Sequence, residues 1–170
     1  DFRPPSAGGE TGEYYQRMLM EVDEALKNYQ EEFPVLKGMK PKWGGFIWFQ
    51  GWNDMFNQDA LAQYEENLVH LIKDLRTRLN QPNLPVVVGE LGNMGEDAGT
   101  NMKFIREAQR KACQRKEWKG RVSFVKTTNF ARPKEESPNV GHGHHWFGNA
   151  ESYFLIGDAL GKEMVRLLKN

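Results

Sequence analysis

The chain has 170 residues, of which 39% are hydrophobic, and its 23 basic side chains are balanced by 23 acidic ones. This length favours one globular domain that buries its core without disulfides or metals. A formal net charge of zero provides no long-range field to attract nucleic acid or anionic lipid, and no apolar run approaches the ~18 residues of a membrane span. We therefore expect neither a nucleic-acid partner nor a membrane partner. Cys113 lies in a helical pattern and is expected to be a buried, unreactive thiol.

The first element in chain order is a helix predicted over residues 12–29. Its apolar side chains recur at helical spacing and form one stripe, which is expected to face a core. Thr11 is the expected N-cap, and Pro34 is the expected stop. The stripe comprises Tyr15, Met18, Leu19, Val22, Ala25, Leu26 and Tyr29.

Three strands and three further helices are predicted to follow in alternation. Their expected positions are a strand at 45–50, a helix at 60–79, a strand at 85–89, a helix at 101–116, a strand at 121–127 and a helix at 149–169. Strands separated by whole helices run parallel with right-handed crossovers, which predicts a three-layer α/β/α sandwich with a parallel sheet. Three strands make a small sheet for this architecture and the chain opens on a helix, so we expect one or two amino-terminal strands to be missing.

Polar residues follow each predicted strand, in segments 50–54 and 90–93 and in a long loop at 128–148. Because the carboxyl ends of parallel strands meet at one edge of a sheet, these segments are expected to face one cleft. An asparagine that follows a glycine turn can aim its amide at a developing oxyanion, and Asn53 after Gly51 fits this description. A role for Asn53 as the cap of a turn or helix fits equally well.

The long loop contains a histidine cluster, Gly141-His-Gly-His-His-Trp146. His142, His144 and His145 could bind zinc with help from Glu135 or Glu136. Adjacent histidines in extended backbone point in different directions, however, and hydrolytic zinc sites usually collect ligands from separated segments. A zinc site therefore stands as the less favoured interpretation of this cluster.

Two short motifs resemble those of a known family. Gly51-Trp-Asn-Asp has the Gly-x-Asn-Asp form of the third conserved block of the SGNH (GDSL-like) hydrolases, and Trp48-Phe-Gln-Gly resembles the lead-in found in the sialate O-acetylesterase and acetylxylan-esterase branch. His145-Trp, followed by Gly148-Asn-Ala and a helix rich in small residues, resembles the closing block of that branch. The resemblance covers nearly the whole chain and implies the flavodoxin-like SGNH sandwich.

The resemblance also implies an activity and a set of site residues. It implies a carbohydrate O-acetyl esterase of the serine type, which hydrolyses acetyl esters through an acyl-serine without a metal or other cofactor. Asn53 would donate to the oxyanion, and His145 would be the general base, with His144 as the alternative. Gly51 would permit the turn, and Asp54 would brace the loop beneath the site.

The chain departs from the family pattern at the nucleophile. No Gly-Asp-Ser or Gly-Gln-Ser block is present, and the serines at 6, 123, 137 and 152 lie in other contexts. We therefore expect residues 1–170 to be the carboxyl-terminal part of a single SGNH-hydrolase-like domain. A missing upstream segment would then carry the nucleophilic serine.

A second departure concerns the acid that orients the base. The aspartate expected three residues before His145 is replaced by His142, and a histidine cannot stabilise an imidazolium as a carboxylate does. Glu90, at the end of a neighbouring strand, is our first candidate for this acid. Glu135 or Glu136 in the long loop, or a dyad without an acid, remain alternatives.

The expected substrate is an O-acetylated carbohydrate. Gln50, Trp52 and Trp146 are the predicted substrate-binding residues. The two tryptophans are chosen because amphipathic rings beside a polar centre suit the apolar faces of a sugar. The resemblance also implies a secreted or periplasmic protein. Two other functions stay open, a non-catalytic carbohydrate-binding remnant and a zinc-dependent hydrolase that uses the histidine cluster.

Overall fold

The computed structural model describes residues 2–169, and the chain divides into two compact units. The first unit holds the residues up to Trp43 together with His70–Pro82, and the second holds Gly44–Val69 and the residues from Asn83 onward. The second unit contains the sheet and every residue predicted for the site.

The sheet consists of β1 (Phe46–Trp48), β2 (Val86–Gly89) and β3 (Val122–Val125), in the order β1-β2-β3. Both pairings are parallel, and the register aligns Ile47 with Val87 and Val87 with Ser123. This arrangement confirms the predicted parallel sheet. The first and third strands are shorter than predicted, because polar groups just beyond them bond to side chains instead of continuing the ladder, as the Gln50 carbonyl does with Tyr64.

All four predicted helices are present, with ends displaced by a few residues. They are α1 (Glu13–Glu32), α2 (Gln58–Arg78), α3 (Thr100–Cys113) and α4 (Ala150–Lys169). None of the helices within residues 2–169 combines the length and apolarity that crossing a membrane requires.

The predictions for α1 were only partly right. Thr11 is not the N-cap, because the extended residue before the first helical turn is Gly12 and no side chain caps it. The predicted stripe is the more covered face of α1, but it is covered less than expected. Tyr15 is buried, Met18, Leu19, Val22 and Tyr29 are half-buried, and Ala25 and Leu26 are exposed. The stop is correct, since Pro34 disfavours helical geometry at Phe33, which has φ −124° and ψ 79°.

The sheet is covered on both faces. On one face, α4 packs on β2, and Val87 belongs to an apolar cluster with Ile156, Leu160, Leu167 and Trp146. Successive side chains of a strand alternate between faces, so Val86 and Val88 point the other way, and both are fully buried. The predicted α/β/α sandwich is therefore confirmed, with α3 packed against β3 on the face away from α4.

The predicted long loop contains three short 3-10 helices rather than extended chain. They span Thr128–Phe130, Lys134–Glu136 and Gly143–Gly148. The last of these carries the histidines, and residues 139–149 are called the histidine loop below.

Candidate functional site

An open cleft of about 370 Å³ lies at the carboxyl ends of β1 and β2. The histidine loop forms its opposite wall. Six of the seven residues predicted for the site line it, and Glu90 does not. The lining residues are Phe49, Gln50, Gly51, Trp52, Asn53, Leu91, Asn93, His144, His145, Trp146 and Tyr153.

The chain leaves β1 through a turn that requires glycine at position 51. Gly51 has φ +153°, which side chains with a Cβ rarely adopt. A Cβ there would lie 2.9 Å from Ile105 Cγ2 and 3.2 Å from the Tyr64 hydroxyl. The predicted role of Gly51 is thus explained by both conformation and space.

Two side chains fix the backbone just before this turn, and a third contact joins two side chains of the turn itself. The Tyr64 hydroxyl donates to the Gln50 carbonyl at 2.6 Å, and Gln109 Nε2 donates to the same carbonyl at 3.0 Å. Burial raises the pKa of Tyr64, which keeps this hydroxyl a neutral donor. Gln50 Nε2 donates to Asp54 at 2.5 Å, so Asp54 braces the turn as predicted.

Asn53 begins a short 3-10 helix, Asn53–Phe56, and its side chain is exposed to the cleft. Its amide caps nothing: within residues 2–169 no hydrogen-bond partner contacts it. The capping interpretation is therefore not supported by the contacts. A fixed turn thus presents a side-chain amide whose two N–H groups are available to a ligand.

The histidine loop holds its backbone in an unusual path. Trp146 and Phe147 have φ +51° and +53°, and the His142 carbonyl accepts hydrogen bonds from the amides of His145 and Phe147 at 3.0 Å. The backbone N–H of Asn139 also donates a hydrogen bond to the Phe147 carbonyl at 2.9 Å. Sterically unfavourable φ values of this kind persist only where surrounding contacts fix the chain.

The histidine rings are clustered and exposed. The His144 and His145 centroids lie 4.2 Å apart, and the His144 ring also lies 5.7 Å from Trp52. Restricted hydration, together with the nearby His145 and His142 rings, lowers the pKa of His144. Within residues 2–169 no hydrogen bond orients any of these rings, so the predicted base His145 lacks an acid partner there.

Asn93, in the loop after β2, joins the two walls of the cleft. Its side chain is 2% exposed, and Nδ2 donates to the carbonyls of Gly143 and His144, both at 3.1 Å. The sequence predicts a polar segment at 90–93 but no role for Asn93. Its two acceptor carbonyls lie about 50 residues further along the chain, so no local pattern indicates this contact.

Glu90 holds the loop after β3. Its Oε2 accepts hydrogen bonds from the backbone amides of Thr127 and Thr128, both at 2.8 Å, and from the Thr128 hydroxyl at 2.6 Å. The side chain is 5% exposed and lines a separate cleft. The contacts thus give Glu90 a structural role, while its action on His145 stays a prediction.

The predicted substrate-binding residues differ in how much they present to the cleft. Trp52 is partly exposed, whereas Trp146 is 5% exposed and packs in the apolar cluster under α4. The Gln50 side chain is engaged by Asp54. Tyr153, which the sequence analysis missed, is 45% exposed, and its hydroxyl donates to the His145 carbonyl at 3.0 Å.

No serine lines this cleft among the described residues. Ser123 bonds to Glu163, Ser137 to the Pro133 carbonyl, and the buried Ser152 to the Phe130 carbonyl. Ser6 bonds to His70 Nδ1 at 2.8 Å within the first unit. These contacts agree with the expectation that none of the four is the nucleophile of the cleft.

The geometry also bears on the zinc interpretation and on Cys113. Within residues 2–169 no three side chains of the His, Cys, Asp and Glu types are arranged to hold a metal ion. Cys113 is buried as predicted, and burial raises the pKa of its thiol to about 12. Cys113 is therefore protonated and unreactive near neutral pH.

Comparison with known proteins agrees with this geometry. The family described as carbohydrate esterase, sialic acid-specific acetylesterase, matches residues 5–166. A probable carbohydrate esterase of Arabidopsis thaliana is 30% identical over 95 residues, which are 56% of this chain and 31% of that protein. The chain thus spans about a third of the length of this curated relative. No solved structure matches it significantly.

A parallel α/β/α sandwich with an asparagine-bearing turn beyond its first strand is an SGNH-like architecture. The match over nearly the whole chain makes the assignment more specific. The chain belongs to the sialic acid-specific acetylesterase family of carbohydrate esterases.

Proposed function

We propose that this chain supplies the oxyanion-binding and proton-transfer residues of a carbohydrate O-acetyl esterase that works through an acyl-serine. The observation that carries the proposal is the cleft itself. It brings the unpartnered amide of Asn53 and the exposed ring of His145 to the same edge of the sheet. An oxyanion hole and a general base are the two functions that acyl transfer requires around a serine.

The proposed reaction has two stages. A serine hydroxyl attacks the acetyl carbonyl while His145 takes its proton, and the Asn53 amide donates to the oxygen that becomes negative. The bond between the acetyl carbon and the sugar oxygen then breaks, His145 protonates the departing sugar oxygen, and the acetyl group stays on the serine. In the second stage His145 activates a water molecule, which releases acetate and regenerates the serine.

The nucleophile in this proposal comes from a part of the protein outside residues 1–170. Support comes from the cleft, since no serine within residues 2–169 lines it. The family resemblance supports a serine on a neighbouring strand. Because no carboxylate in the described chain bonds to the His145 ring, the simplest form of the proposal is a serine–histidine dyad, with Glu90 kept as the predicted orienting acid.

The proposed substrate is an acetylated sugar, of the sialate or acetylxylan type. Trp52 and Tyr153 both line the cleft with partly exposed rings, and such rings suit the apolar faces of a pyranose. The name of the family, sialic acid-specific acetylesterase, supports the same substrate class. Family resemblance further supports a secreted or periplasmic location.

A non-catalytic carbohydrate-binding protein is the second candidate. The lack of a serine beside Asn53 and His145 within residues 2–169 favours it. Such a protein would bind acetylated sugars in the same cleft without hydrolysing them. Measurement of acetate release alongside binding separates the two functions.

The test uses the full-length protein with O-acetylated sialic acid and acetylated xylan oligosaccharides. We expect acetate release that resists exhaustive chelation and is abolished by a serine-directed organophosphonate. Binding without acetate release would favour the second candidate. Activity lost on chelation and restored by zinc would overturn the serine mechanism in favour of a zinc-dependent hydrolase.

A further inference from the structure

We propose that Asn93 is a positioning residue that fixes the histidine loop, and with it His145, against the oxyanion-binding turn. The inference rests on the proposed function for its catalytic consequence. Its structural content, an anchor between two segments 50 residues apart, stands on the contacts alone.

The Asn93 side chain contacts the histidine loop directly. Both donations from Nδ2 of Asn93, to the Gly143 and His144 carbonyls, are 3.1 Å long, and the side chain is buried. One planar amide therefore fixes two successive peptide groups immediately before His145. Two bonds to adjacent carbonyls restrict rotation of the backbone as well as its distance from β2.

The loop that carries Asn93 is itself held in place by other residues. Arg106 donates to the carbonyls of Leu91, Asn93 and Gly95 at 2.7 to 2.9 Å. A Cβ at Gly92 would lie 2.2 Å from Thr127 Oγ1, so the loop also packs closely against the segment after β3. The backbone that carries Asn93 is therefore fixed, and its side chain can hold the histidine loop in place.

Gln109 connects the loop that carries Asn93 to the turn that carries Asn53. The fully buried Gln109 accepts a hydrogen bond from the Leu91 amide at 2.9 Å and donates to the Gln50 carbonyl at 3.0 Å. The loop after β2 is therefore connected through Gln109 to the turn that carries Asn53, and through Asn93 to the loop that carries His145. Asn93 is the side chain that makes the second of these connections.

The position of the His145 ring depends on the backbone of the histidine loop. Within residues 2–169 no hydrogen bond orients the His145 ring, so the position of the ring follows the position of the loop. The loop also contains the positive φ values of Trp146 and Phe147, which require outside contacts to persist. Misplacement of a reacting group by about 1 Å can cost roughly 10²-fold in rate.

The experiment compares Asn93→Ala and Asn93→Asp in the full-length protein. The aspartate matches asparagine in size but has no N–H to donate, and when ionised its carboxylate would face two carbonyl oxygens. Both variants remove the donor, so the positioning role predicts that both lose activity near neutral pH, with Asn93→Asp the lower of the two because its carboxylate would also be buried. Activity in Asn93→Asp close to that of the wild type would show that Asn93 only fills space.

Kinetics provide the first measurement. We expect kcat to fall by about 10- to 100-fold in Asn93→Ala with KM within about twofold, because the change moves the base and leaves the rings that hold the sugar. In Asn93→Asp, activity relative to wild type should recover as the pH falls, since a protonated carboxyl group can donate one hydrogen bond. Ile72→Ala, a change at a fully buried core position of α2, controls for a general loss of stability.

Hydrogen exchange provides the second measurement and needs no activity. The amides of His145 and Phe147 should be protected in the wild type and exchange about 10-fold faster or more in Asn93→Ala, but not in Ile72→Ala. Unprotected amides in the wild type, or unchanged exchange and kcat in Asn93→Ala, would overturn the proposal. A wild type with a protected loop but no esterase activity would instead refute the proposed function alone.

Discussion

Replacement of Gly51 by alanine tests whether the turn after β1 builds the site. The added Cβ would lie 2.9 Å from Ile105 Cγ2, which is closer than real Cβ contacts, and 3.2 Å from the Tyr64 hydroxyl. Overpacking of this kind costs about 1–3 kcal/mol, and a side chain in this sparsely populated φ region adds roughly 1 kcal/mol or more. We therefore expect Gly51→Ala to lower the free energy of unfolding by about 2–4 kcal/mol.

The same change should affect catalysis beyond its effect on stability. Displacement of the turn moves the Asn53 amide, so kcat for acetate release should fall by about 10²-fold with little change in KM. The assay combines urea unfolding with steady-state kinetics, and Gly157→Ala is the matched control. A Cβ at Gly157, in α4, meets no atom within 4 Å, so that variant should keep activity and be about as stable as wild type or slightly more so. If Gly51→Ala matched this control in stability and turnover, the account of the turn would be wrong.

Three further predictions concern residues around the cleft and the core. His145→Ala should reduce kcat at least as severely as loss of the oxyanion donor, and a greater effect of His144→Ala would reverse the assignment of the base. Glu90→Ala should lower the free energy of unfolding by about 2–4 kcal/mol, because two buried backbone amides lose their acceptor, and an unchanged urea midpoint would contradict this. Cys113 should resist iodoacetamide at pH 8 in the folded protein and react after unfolding, since burial raises its pKa to about 12; rapid alkylation of the native protein would show that the thiol is accessible.

The order of elements could be predicted because each carries a local signal. The run at residues 85–89 is apolar throughout, and the strand it predicted, Val86–Gly89, is buried at every position. The helical periods likewise located four helices. Periodicity does not reveal how much of an apolar stripe is covered, and the stripe of α1 shows this, since Leu26 is 37% exposed.

The site could be predicted only where chemistry and local motif coincide. Gly51 and Asn53 belong to one short motif, and the structure brings both to the cleft. Asn93 and Gln109 could not be assigned roles in this way, because they act through backbone groups far away in sequence. Such roles depend on tertiary contacts, which a pattern of residue types does not encode.

The most direct test of the central claim is the turnover of Asn53→Ala in the full-length protein. The Asn53 amide is unpartnered in the described chain and faces the cleft, so it is available to the charge that develops in the transition state. The account predicts that kcat for acetate release falls by about 10²–10³-fold while KM changes little. Turnover equal to that of the wild type would remove Asn53 from the oxyanion hole and contradict the proposed mechanism.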